Sequence, residues 1–100
     1  MKCGGTSADK VADDEVKDLC NQLKSDVLAK LNRDSDPEMF EAITYMTQVV
    51  AGMNYFVKIQ LHSNGECVHA RIYRPLPHQG NPEVHSVIGG LQKEDSLEYF

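Results

Sequence analysis

One hundred residues, 41% of them hydrophobic and none of them tryptophan, describe a single domain over residues 1–100 with a modest core. Fifteen acidic against ten basic residues give a formal charge of -5, and Lys and Arg never cluster beyond a pair, which excludes nucleic acid and anionic membrane as natural partners. No run approaches the roughly 18 apolar residues of a spanning helix, and the opening MKCGGTSADK lacks a signal peptide's apolar core. The expectation is a cytoplasmic protein whose odd set of cysteines, Cys3, Cys20 and Cys67, stays reduced.

From Val11 to about Leu31 the apolar residues Val16, Leu19, Cys20, Leu23, Val27 and Leu31 fall at steps of three and four, one stripe on one long helix. Asp13, Asp14 and Glu15 near its start and Lys30 and Arg33 near its end complement the helix dipole. A helix with one apolar face must lie on another layer. The segment Arg33-Asp34-Ser35-Asp36-Pro37 breaks it.

Beyond Phe40 the period changes to two. Ile43, Tyr45 and Thr47 alternate, then Tyr55, Val57, Ile59 and Leu61 against Asn54, Lys58 and Gln60, which predicts two strands around the stretch QVVAG. The Asn64-Gly65 pair signals a hairpin, after which Val68, Ala70 and Ile72 alternate with Cys67, His69, Arg71 and Tyr73 in a third strand. Arg74 to Pro82 holds too much proline to pair, and Glu83 to Ile88 and Leu97 to Phe100 read as short closing strands. The expected fold is α+β: one long N-terminal helix packed on a curved four- to five-stranded antiparallel sheet.

Two connections do not read as ordinary solvated bends. Gln48-Val49-Val50-Ala51-Gly52 keeps a glycine for the turn but surrounds it with aliphatic side chains. Arg74-Pro75-Leu76-Pro77-His78 fixes a leucine between two prolines. Each allows two readings, core residues that fold back inward, or apolar tips kept for a partner. The two glycines of Met1-Lys2-Cys3-Gly4-Gly5 would let backbone lie close against another surface.

Gly4, the QxVxG pattern at Gln48, Val49, Val50, Ala51 and Gly52, the run Asn54-Tyr55-Phe56, the loop Leu76-Pro77-His78 and the terminal Glu98-Tyr99-Phe100 together resemble the cystatin superfamily. Without a signal peptide or paired cysteines, the chain is similar to its type 1, or stefin, branch. That resemblance implies a reversible, tight-binding competitive inhibitor of papain-like cysteine proteases such as cathepsins and papain, with no catalytic residues, cofactor or metal of its own. It implies that Gly4, Gln48 to Gly52, and Leu76, Pro77 and His78 form a wedge that enters the protease cleft. Met53, Pro75 and Gly89-Gly90 depart from the family pattern and bear on target preference rather than activity.

A rival reading gathers His62, Cys67, His69, His78 and His85 into a metal or enzyme site, but no second metal-binding pair, phosphate loop or nucleophile elbow accompanies them. A further alternative is a cystatin-like interaction or structural module without inhibitory activity. A monomer is expected, with two routes to a dimer: exchange of the QVVAG hairpin between copies, and a disulfide through an accessible Cys3.

Overall fold

The computed structural model describes residues 10–31, 37–98 and 100. Its elements follow in the order β1 (Lys10–Val11), α1 (Asp14–Gln22), α2 (Lys24–Lys30), β2 (Glu41–Val50), β3 (Gly52–Gln60), β4 (Glu66–Arg74) and β5 (Glu83–Gln92). The five strands form one antiparallel sheet in chain order, with helices against one face. The expected α+β architecture is present. Among the described residues no helix is long and apolar enough to cross a membrane.

The helix begins later than the apolar pattern suggested and is not continuous. Val11 is in β1, paired with Thr44, and Asp13 caps α1 by accepting a hydrogen bond from the Val16 amide at 2.9 Å. At Leu23 the backbone leaves helical geometry (φ -104°, ψ 13°), and its amide bonds to both the Leu19 and Cys20 carbonyls, at 3.2 and 3.1 Å. This tightened turn divides α1 from α2. Because Leu23 stays buried through the break, the stripe Val16, Leu19, Cys20, Leu23 and Val27 remains continuous against the sheet.

The sheet meets that stripe with cross-strand rows. Tyr45, Val57, Ala70 and Val87 form one row, and Tyr55, Ile72 and Val84 another. In β2 the expected alternation through Ile43 fails. A register shift between Ala42 and Thr44 leaves Ile43 without a partner in β3, so Ala42 and Tyr45, three apart, both pack on the helical core. Gly89 marks a close approach of helix and sheet: a Cβ there would stand 2.9 Å from Leu31 Cδ2. The glycine pair falls where the β4–β5 register shifts, yet pairing resumes at Leu91 and Gln92, so β5 outlasts the expected end at Ile88.

The other face of the sheet is also covered. The expected strand from Leu97 to Phe100 is not present at its described residues; Leu97 and Phe100 instead pack on Met46 and Phe56, with the Phe56 and Phe100 rings edge to face at 5.7 Å. Lys58 Nζ donates to the Lys93 carbonyl at 2.8 Å and Arg71 to the Phe100 carbonyl at 2.9 Å. The segment is thus a strap, anchored at both ends on side chains of the outer face. Docking on that face takes Leu97 to 5% exposure, an apolar burial that stabilises the strap.

Candidate functional site

β2 and β3 are joined by Ala51 alone, with Val50 opposite Gly52. Val49 and Val50 on it are 65% and 42% exposed, and Ala51 is exposed too. Leu76, on the neighbouring β4–β5 connection, is 45% exposed. The reading that these aliphatic residues fold back into the core is therefore excluded: they face water at one end of the sheet.

Gly52 holds φ +117°, a conformation that side chains rarely adopt. A Cβ there would also lie 2.6 Å from the Arg74 carbonyl oxygen and 3.0 Å from Pro75 Cα. The first hairpin and the second loop are thus in backbone contact. Between them runs a groove of about 240 Å³ lined by Gly52, Met53, Tyr55 and Arg74 to Pro77. The two unusual connections, separate in sequence, form one edge.

Each loop is braced from behind. Gln48 accepts from Asn54 Nδ2 across the hairpin at 3.3 Å, so its half-buried amide stiffens the stem of the tip. The Tyr73 hydroxyl donates to the Ala51 carbonyl. Arg74 reaches Glu15 of α1 at 3.3 Å, and its guanidinium, hydrogen-bonded to Tyr55 and Glu15, is held even more firmly protonated than usual. The second loop turns on a hydrogen bond from the Gln79 amide to the Leu76 carbonyl at 3.0 Å. Pro77 and His78 are the central residues, and His78 has φ +69°. This is the pattern of a type II turn, with proline at its favoured place and histidine where glycine or asparagine is usual. His78 was expected at this edge, but neither its positive φ nor the bracing by Tyr73 was legible in sequence, since both depend on how the strand ends meet.

Of the nine predicted site residues, Gln48 to Gly52 and Leu76, Pro77 and His78 are brought to this edge, and Gly4 lies outside the described residues. The rival metal-site residues are placed apart. His62 sits between Glu38 and Glu66 at the β3–β4 turn, Cys67 and His69 are buried under the strap face, and His78 and His85 belong to the opposite end. Among the described residues no group of three or more His, Cys, Asp and Glu side chains is arranged to hold a metal ion.

Comparison with known proteins gives the family of the whole chain. The chain matches the family model of the cystatin domain over residues 4–88. The chain belongs to the cystatin family. It is 37% identical to Cystatin-B of Mus musculus over 101 residues and 38% identical to Cystatin-B of Paralichthys olivaceus, in each case across 100% of both chains. Cystatin-B of Homo sapiens is 34% identical over the same full span. This cystatin therefore sits in the type 1, or stefin, branch, and its role is that of a cysteine protease inhibitor, not an enzyme.

Proposed function

We propose that this stefin is a reversible, tight-binding competitive inhibitor of papain-like cysteine proteases, cathepsins and papain among them. Acting as a single cytoplasmic domain over residues 1–100 and chiefly as a monomer, it inserts a wedge into the active-site cleft. The wedge consists of the segment around Gly4, the tip Gln48, Val49, Val50, Ala51 and Gly52, and the loop Leu76, Pro77 and His78. The observation that carries this is the exposure of Val49, Val50 and Leu76 side by side on two braced loops. Exposed aliphatic groups held at one edge acquire their burial surface from another protein. Each Å² they lose to an apolar cleft is favourable by roughly 25 cal/mol before association costs. Because the loops are already ordered, little conformational freedom is lost on docking.

The test is a titration of papain acting on a small fluorogenic peptide, in reducing buffer, followed by mass spectrometry of the inhibitor. Activity should fall linearly to zero near one equivalent while the chain stays intact. Full activity at high excess would leave a cystatin fold without inhibitory action.

A further inference from the structure

We infer that Tyr73 is a positioning residue for this edge, latching the tip of the first hairpin to the strand that carries the second loop. The inference rests on the inhibitory reading above and names what sets the spacing of its two loops.

Tyr73 is the second-last residue of β4, paired with Asn54 on one side and Glu83 on the other. Its hydroxyl passes across Gly52, where an added Cβ would stand 3.0 Å from it, and donates to the carbonyl of Ala51. Ala51 lies between β2 and β3, outside either strand, so its carbonyl projects where the sheet's own ladder ends. The ring is supported from behind. The β4–β5 register runs from Arg71 with Ser86 to Ile72 with Val84, leaving His85 as the extra residue of a bulge. His85 stacks on Tyr73 with ring centroids 5.4 Å apart and planes 25° from parallel, and its Nε2 meets Glu83 Oε1 at 3.3 Å.

One ring therefore joins the hairpin tip, the strand leading to the second loop and the strand leaving it. Val50 and Leu76 enter a cleft together only if their separation is right, and a tip free to hinge at Gly52 would have to be ordered again at each encounter. The single polar atom of Tyr73 restrains that hinge. Phenylalanine at this position would keep the stack and the packing and remove only the latch.

The experiment compares the full-length protein with Tyr73→Phe in three measurements: papain inhibition constants with association and dissociation rates, the urea unfolding midpoint, and amide hydrogen exchange at Val50, Ala51, Gly52 and Met53. The variant should unfold at an only slightly lower midpoint, by no more than the loss of one ordinary hydrogen bond, exchange faster at those amides, and inhibit papain roughly two- to tenfold less tightly. The loss should lie mainly in a faster dissociation rate. Unchanged exchange overturns the latch whether or not the parent protein inhibits papain. Faster exchange with unchanged inhibition overturns the positioning role. Failure of the parent itself to inhibit would count against the inhibitory reading, while the exchange data would still decide whether the latch exists.

Discussion

The α-carbon of Gly52 faces the carbonyl oxygen of Arg74 so closely that a methyl group on it would stand 2.6 Å away. The neighbour is backbone, at the last residue of β4, and has no rotamer by which to retreat. Gly52→Ala must also adopt φ +117°. Stability should fall by about 1–3 kcal/mol, read by urea unfolding, and papain inhibition should weaken because the tip is pushed off the second loop. A variant matching the parent in both would show that the loops do not depend on this contact.

The exposed aliphatic residues should behave in the opposite way. Val50→Asp and Leu76→Asp alter side chains that are 42% and 45% exposed. Unfolding should change by no more than about 0.5 kcal/mol. Inhibition should weaken by roughly tenfold or more, since a carboxylate would then have to be desolvated in the cleft. Equal losses of stability and inhibition would assign these residues to the fold instead.

Leu97 tests the strap. At 5% exposure it fills the cluster of Met46 and Phe56 on the outer face. Leu97→Ala should cost about 2–4 kcal/mol in urea unfolding, with papain inhibition little changed because the site lies at the end of the sheet. A change below about 0.5 kcal/mol would mean that the segment contributes nothing to the folded state.

Burial in the helical core pushes the Cys20 thiol up to about 12 from 9.0. The folded state thus retains a proton that the unfolded chain releases above about pH 9. Cys20 adds stability fully below that pH, and the contribution is lost as pH rises from 9 towards 12, by about 1.4 kcal/mol per unit. Cys20→Ala or Cys20→Ser should flatten this alkaline slope in unfolding measured from pH 8.5 to 10.5. An unaltered slope would assign it to other groups. In the native protein Cys20 should also resist alkylation at pH 8, reacting only on unfolding.

The parts of this structure legible in the sequence are those set by local period. The stripe from Val16 to Val27 and the alternation through Val57, Ile59, Val68, Ala70 and Ile72 named the core because each residue's side is fixed by its own element. What was lost depends on partners distant in the chain. The turn at Leu23 leaves the apolar stripe unbroken, so no pattern betrays it. The bulge at Ile43 shifts which residues face the helix, and the strap reads as a strand because Leu97 and Phe100 are apolar wherever they dock. The loops were visible as anomalies of composition, but whether Val49, Val50 and Leu76 pointed in or out was a question only the folded chain answered, where Gly52 meets Arg74 and the three side chains stay exposed.

The most direct measurement is amide hydrogen exchange of the protein alone and in stoichiometric complex with papain. Protection on binding should appear at Val49 to Met53 and at Leu76, His78 and Gln79, with the β3–β4 turn around Ser63 and Asn64 unaffected. Protection confined to that turn, to the outer strap or to the edge of β5 would contradict a wedge built from the two loops.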